Sequence, residues 1–500
     1  MSTYDDLNFE DISSPQLRPA DNRPITVGNS PVSTARSENG ITAKQLARHD
    51  RIFGKIVRDA PVKVSKIPDN TKPMVFIPSK KENCIRLTEE MLSKHLLFIG
   101  GIGCGKTNAI NFCIDGIISN MNNDDVLIIF DTKGDFYQRF GDPNNRNHIV
   151  IGNHPKYRDI PYVWNIFDEL LDDDGKYDDR EADLMAREIS KKLFENIKSE
   201  SQPFFALAGA EIFKAVLIAF YREAFDIRSS AKLNNTALVD FFNYAEIKDY
   251  DAMFKRPGNE DMRSLAMFYG DATKPMTPQA LGVFGTIKAI VSDLFVGVFA
   301  SKNGRRFSMK EAVREKQKKV VFIEYDLKVG QSLGPIYSLL FDLALKQALG
   351  GRNTNKGNTY FAIDELRLLD APSHLGDALN FGRSQNVKIL AAIQSIRQLT
   401  DAYGEEAGRV VAAGFMNCMC FQSFDIDTRK YISDRFGEGY DSYEFDILGK
   451  PDSVQQHSHV VEDWDIMELD VGEAFVNLFG FDPFKFDFKI YKDKQIAKES

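Results

Sequence analysis

The chain has 500 residues, 43% of them hydrophobic, enough for a large core and for about two or three domains. A formal net charge of −9 excludes a uniformly basic surface, although a basic groove or ring lumen can sit inside an acidic total. The five cysteines, Cys84, Cys104, Cys113, Cys418 and Cys420, are odd in number and have no zinc or disulfide spacing, which fits a reducing compartment.

Residues 1–40 are rich in Ser, Pro, Asn, Asp and Arg without periodicity, a composition expected to form a disordered arm. Met1–Glu10 is acidic and polar, unlike a signal peptide. Thr42–Arg58 has a helical pattern, with Leu46, Ile52, Phe53, Ile56 and Val57 as its apolar members. Pro61–Pro78 reads as extended and turn-rich. A strand at His95–Ile99 then feeds a glycine-rich turn, a helix from Lys106 to about Ser119, and a buried strand at Val126–Phe130. From Gly175 to about Val298 the period is helical, and Phe204–Glu223, just after Pro203, carries a repeating apolar face. No apolar run, Ala215–Phe220 included, approaches the roughly 18 residues expected of a membrane span. Strand signals return at Val320–Tyr325, Tyr360–Ile363, Val387–Ile393 and Met416–Phe421, with helical segments between. Cys418 and Cys420 are two apart in the last of these, so both are expected on one buried face. Phe484–Tyr491 alternates Phe with charged residues and reads as a final strand on a sheet edge. Strands alternating with helices predict an α/β fold whose parallel sheet is covered on both faces, with a helical block inserted midway.

The chemistry centres on Gly100-Gly-Ile-Gly-Cys-Gly-Lys-Thr107, which fits G-x-x-x-x-G-K-[ST] with a strand before it and a helix after it. Gly100, Gly103 and Gly105 permit left-handed turns, so the backbone from Gly100 through Gly101, Ile102, Gly103, Cys104 and Gly105 to Lys106 and Thr107 can cradle phosphate oxygens. The Cys104 side chain has no assigned role. Lys106 is expected to reach the β- and γ-phosphates and Thr107 to place its hydroxyl on Mg²⁺, so ATP and Mg²⁺ are the expected ligands. A P-loop also needs an acidic partner at the end of a nearby strand. Asp131 and the pair Asp364-Glu365 both follow hydrophobic strands. The pair suits the task better. Asp364 can hold Mg²⁺ through its hydration shell, and Glu365 can orient and polarise the attacking water. Asp131 is followed by Thr132 and lacks the second carboxylate.

Several further segments resemble the type IV secretion coupling proteins of the TraD/TraG kind, within the FtsK/HerA-type P-loop ATPases. Phe130-Asp-Thr-Lys-Gly-Asp135 is similar to that family's Asp-Pro-Lys-Gly-Glu element, and Val163-Trp-Asn-Ile166 to its Trp-Asn-Pro-Leu element. Phe361-Ala-Ile-Asp-Glu365, Phe381-Gly-Arg-Ser384 and Leu390–Leu399, with Tyr403-Gly404 after it, follow in the family's order. The resemblance implies a RecA-like P-loop nucleotide-binding domain with a mostly parallel central sheet, plus an inserted all-α domain. The implied layout is an arm over 1–40, a first nucleotide-domain part over 41–180, the all-α domain over 181–310 and a second nucleotide-domain part over 311–500. It implies that Arg383 is offered to a neighbouring subunit's nucleotide and that Gln394 senses the γ-phosphate beside Glu365. It also implies a homo-hexameric ring that pumps DNA, single-stranded or relaxase-bound, and protein in some systems, toward secretion-channel proteins.

Many family members carry two N-terminal membrane helices, where this sequence has a polar arm. Membrane contact is therefore expected only through a partner, with the protein cytoplasmic and recruited to the inner face of the membrane. Thr132 and Ile166 replace usual prolines and are expected to stay out of the chemistry. A FtsK/HerA-like soluble DNA translocase and a nucleotide-switched adaptor for secreted proteins are the alternatives. The basic turns Lys302–Arg306 and Arg314–Lys319 are candidates to contact phosphates, although a solvated face is the plainer reading. His457 and His459 are expected in a polar loop, and no metal is assigned to them.

Overall fold

The computed structural model describes residues 45–57, 73–81, 83–157, 162–195, 203–270, 273–326, 328, 330–350, 356–447 and 450–492. The expected arm over 1–40 lies outside these residues, as does most of the expected extended stretch after Pro61.

In chain order the first strands are β1 (Gln45–Phe53), β2 (Val75–Pro78), β3 (Cys84–Leu87), β4 (Leu96–Ile99), β5 (Val126–Asp131), β6 (His148–Ile151), β7 (Tyr162–Trp164) and β8 (Arg305–Phe307). The later ones are β9 (Lys319–Glu324), β10 (Thr359–Ile363), β11 (Val387–Ile393), β12 (Asn417–Phe421), β13 (Glu438–Ile447), β14 (Lys450–His459), β15 (Glu473–Asn477) and β16 (Phe484–Asp487). Nine of them form the central sheet, in the order β16-β15-β12-β4-β11-β10-β5-β9-β6. Every pairing from β12 across to β6 is parallel, and β15 and β16 add an antiparallel edge.

Alternation along each strand divides the core between the two faces of this sheet. Leu97, Ile99, Ile128, Phe130, Phe361, Ile363, Ile389 and Ala391 point into one apolar layer. Leu96, Phe98, Leu127, Ile129, Tyr360, Ala362 and Leu390 point into the other, against the helix Lys106–Asn120. Burial on both faces is why these strands read as continuous apolar runs. The expected edge strand is present as β16, and Cys418 and Cys420 are both buried with their Sγ atoms 3.6 Å apart.

The first apolar layer continues into a helical region that runs from Asp179–Phe194 through Pro203–Asp226 to Pro278–Leu294. Pro203–Asp226 corrects one expectation, because it is a helix long and apolar enough to cross a membrane. Single polar or small residues broke its apolar runs in the sequence, and only the continuous helix adds them together. Its Ile212, Phe213, Val216, Leu217 and Phe220 are buried, and it packs against Asp179–Phe194 and Pro278–Leu294 as a core helix.

Two further expectations are corrected at a separate three-stranded sheet, β1-β13-β14. The segment expected to be helical within Thr42–Arg58 is strand β1, antiparallel to β13. A partner remote in sequence supplies its hydrogen bonds, so the local apolar spacing was not decisive. His457 and His459 lie on β14 rather than in a loop. Each faces carboxylates: His457 Nε2 is 3.0 Å from Glu438 Oε2, and His459 is 3.5 Å from Asp434 and 3.6 Å from Glu462.

Candidate active site

Strand β4 delivers the chain into the Gly100–Gly105 loop at the carboxyl end of the sheet, and the helix Lys106–Asn120 leaves it. Gly100 has φ 155°, and a Cβ there would lie 2.7 Å from Phe421 Cβ. Gly105 caps the helix at φ 111°, 3.1 Å from Gly472 Cα measured from the Cβ position. Both contacts come from the β12–β15 side, which also braces the loop through its backbone. The Gly101 N–H donates to the Gln422 carbonyl at 2.8 Å and the Gly472 N–H to the Cys104 carbonyl at 2.9 Å. The Cys104 thiol is buried and bonds the Gly101 carbonyl at 2.9 Å, so it closes the loop from within. Ile102 is 87% exposed, so it offers the loop its backbone alone. Lys106 is buried, with Nζ 2.5 Å from the Gly100 carbonyl and 2.7 Å from that of Gly101.

β11 lies between β4 and β10, so the ends of the three strands stand side by side, roughly 5 Å apart each. This brings the candidate residues of those ends together. Thr107 Oγ1 donates to Asp364 Oδ1 at 3.1 Å, and Thr132 Oγ1 donates to Asp364 Oδ2 at 3.0 Å. The second bond sets Thr132 directly against the candidate metal residue Asp364, a contact its place in the sequence did not reveal. Parallel pairing of β5 with β10 sets Phe130 opposite Ile363, which puts the residues just beyond them within reach of each other.

Glu365 is buried, and its Oε2 accepts a bond from Gln394 Nε2 at the end of β11. Burial raises its carboxyl above the ordinary value of 4.5, against the opposing pull of Gln394 and Lys106. Its Oε1 is buried and has no hydrogen-bond partner among the described residues. Asp131, the rejected alternative, turns to a helix instead. It accepts from Tyr137 N at 2.9 Å and Lys133 N at 3.4 Å, and burial lifts its carboxyl to about 6.

Arg383 is not part of this cluster. It lies in the 3₁₀ turn Gly382–Gln385 that leads into β11, 62% exposed and 3.9 Å from Glu90. The seven residues of β11 separate it from Gln394, roughly 23 Å at 3.3 Å per residue. No rotamer of an arginine spans that gap, so Arg383 cannot serve the P-loop of its own chain.

Trp164 ends β7, which pairs with β8, and Asn165 Nδ2 donates to the Leu233 carbonyl in the helical region at 3.4 Å. Trp164 Nε1 donates to Glu169 at 2.9 Å, and the fully buried Glu169 also accepts from Ser308 Oγ (3.0 Å), Met309 N (2.7 Å) and Lys310 N (3.1 Å). Ile166 has the N–H that a proline would lack, and Asn235 Oδ1 accepts it at 3.0 Å. Sequence reading missed Glu169, because no motif marks a carboxylate whose partners lie about 140 residues away.

The basic turns are largely engaged within the chain. Arg306 pairs with Asp168, Arg314 donates to the Asp172 carbonyl at 3.1 Å, Lys316 to that of Lys356 at 2.6 Å, and Lys319 to Glu315 at 2.5 Å. The plainer reading of a solvated face fails for Lys316, which is buried, and all four side chains are engaged within the chain rather than with a partner phosphate.

A family model described as "Type IV secretion-system coupling protein DNA-binding domain" matches residues 83–441, well over half of the chain. The chain belongs to the type IV secretion-system coupling proteins. Among curated relatives, the coupling protein VirD4 of Bartonella henselae is 23% identical over 427 residues, covering 79% of this chain and 62% of that protein. VirD4 of Bartonella quintana is 25% identical over 316 residues, covering 59% and 45%. The conjugal transfer protein TraG of Agrobacterium fabrum is 32% identical over 123 residues, covering 24% and 18%. The chain thus spans less than two thirds of the length of these relatives. Among solved structures, the bacterial conjugative coupling protein TrwBΔN70 aligns with a TM-score of 0.66 at 19% identity, covering 92% of this chain and 97% of that one. TrwB in complex with ADP and Mg²⁺ gives 0.64 at 19% identity, covering 91% and 97%. The coupling-protein fold, α/β and RecA-like with its helical region, is therefore the fold of this chain.

Proposed function

We propose that this coupling protein is an ATP-driven ring motor that moves DNA, with or without attached protein, toward a type IV secretion channel. The observation that carries the reading is the convergence of Thr107 on Asp364 and of Gln394 on Glu365 beside one glycine loop. Thr107 and Asp364 are the residues that would hold Mg²⁺, and their paired oxygens are the hard donors it requires. Bound there, Mg²⁺ would neutralise charge on the β- and γ-phosphates. Lys106 adds the cation for the same oxygens. Glu365, fixed by Gln394 through one oxygen, keeps its buried Oε1 for the attacking water.

Arg383 stands on the opposite end of the sheet, so its part in hydrolysis is performed on a neighbouring copy. A head-to-tail ring, here a homo-hexamer, presents one subunit's Arg383 to the next subunit's nucleotide. Arginine there spreads charge over transition-state oxygens, worth roughly 10³-fold or more in systems that use it. A motor that consumes cytoplasmic ATP and feeds a membrane channel works at the inner face of that membrane, held there by channel proteins.

The test is the ATPase rate of the purified protein with and without single- and double-stranded DNA, at low and moderate salt, with Glu365→Gln as the blank. DNA stimulation that fades with salt supports the motor. Turnover indifferent to DNA overturns it in favour of an adaptor for protein substrates.

A further inference from the structure

The carboxylates fix the direction in which a bound triphosphate must run. Asp364, Glu365 and Gln394 follow β10 and β11, on one flank of the P-loop strand β4. A triphosphate with its γ-phosphate toward that flank would send its ribose and base toward the other, where β12, β15 and β16 lie. Two large aliphatic side chains stand there in the open, Val471 at 66% and Ile490 at 71% exposure.

Both are tied to the P-loop itself. Val471 precedes Gly472, whose N–H donates to the Cys104 carbonyl of the loop at 2.9 Å and whose carbonyl accepts from Phe488 N at 2.7 Å. Ile490 is bracketed by one amide: Asn108 Nδ2 donates to the Lys489 carbonyl at 3.0 Å, and Asn108 Oδ1 accepts from Tyr491 N at 2.8 Å. Asn108 is the third residue of the P-loop helix. The Tyr491 ring sets its edge against Phe112, 5.0 Å between centroids, and lies 5.8 Å from Phe140. Lys489 N donates to the Pro78 carbonyl at 3.1 Å, which pins the same segment from its other side. The backbone on either side of Ile490 is thus fixed over the first turn of the helix, while among the described residues its side chain is left largely uncovered.

We propose that Val471 and Ile490 are the two walls of a slot for the nucleobase of the nucleotide whose phosphates the P-loop holds, with Asn108 as the residue that positions Ile490. The proposal rests on the nucleotide reading of the P-loop. A purine is a flat, largely apolar disk, and aliphatic faces held at the ribose end of the site are what it needs to leave water.

Calorimetric titration of the 500-residue chain with ADP, and separately with inorganic tripolyphosphate, tests it. Val471→Ser and Ile490→Ser are each expected to weaken ADP about tenfold, the cost of one lost aliphatic contact surface. Tripolyphosphate, which has no base, should bind all variants as it binds the parent, and this also reports that they are folded. Ile490→Leu should restore ADP binding, and Asn108→Ala should weaken ADP while sparing tripolyphosphate. Unchanged ADP affinity in both serine variants overturns the slot. Equal weakening of ADP and tripolyphosphate overturns it too, since the damage would then lie in the phosphate cradle. Altered self-association at constant ADP affinity assigns the pair to a contact between copies and likewise overturns it. Lys106→Ala, which should lose both ligands, tests the P-loop reading separately.

Discussion

Replacing Gln394 by Met removes the hydrogen bond that holds Glu365 and keeps a side chain of similar length. Among the described residues Gln394 is the hydrogen-bond partner of that carboxylate, and Oε1 has none. Burial raises the Glu365 carboxyl above 4.5, and the Gln394 bond is the largest influence opposing it. A hydrogen bond to an ionised group nets about 1.5–3 kcal/mol. Losing it should therefore raise the carboxyl further. Glu365 acts on water when ionised, so turnover falls as pH drops through its pKa, and the acid limb of kcat against pH should move upward. The sign for stability is opposite to that of a salt-bridged carboxylate. With its folded pKa above the unfolded one, Glu365 binds more protons in the fold, and its contribution to stability falls as pH rises between the two values. The assay is kcat at saturating ATP and Mg²⁺ across the acid range. A lowered plateau alone decides nothing, because Gln394 can also affect the water. An acid limb that stays in place or moves downward would refute the assignment of Glu365.

Thr132→Ala frees one oxygen of Asp364. By analogy with residues that orient metal ligands, the apparent Mg²⁺ requirement of the ATPase should rise about 10-fold or more, with Thr132→Ser close to the parent. Identical Mg²⁺ titrations of Ala and parent would remove Thr132 from the site. Arg383→Ala mixed with Glu365→Gln should regain turnover that neither has alone, because mixed interfaces pair an intact Arg383 with an intact Glu365. No recovery in a mixture shown to assemble counts against action across the interface. Glu169→Ala strands four donors in the interior, those of Trp164, Ser308, Met309 and Lys310. Its unfolding free energy by denaturant titration should drop by about 3 kcal/mol or more, and a loss under 1 kcal/mol would mean that the helical region is anchored elsewhere.

The phosphate loop was legible from the sequence because its chemistry is local. Gly100, Gly103, Gly105, Lys106 and Thr107 act through the backbone of one turn, and eight consecutive residues contain all the information. The central strands were legible for a related reason: burial on both faces makes each a short apolar run whatever its neighbours are. Distances across the chain were not. The apolar spacing near Leu46 and Phe53 suited a helix, and β13 made a strand of it by supplying the missing hydrogen bonds. Asp364 was recognisable as an acid at a strand end, but only the strand order shows that Thr132 holds its second oxygen. Only that order shows that Arg383 lies a full strand length away from its own P-loop. Sequence spacing determines what one turn or one strand can do. Which strand ends lie side by side is set by pairing and packing between remote segments, and the catalytic cluster is made of those ends.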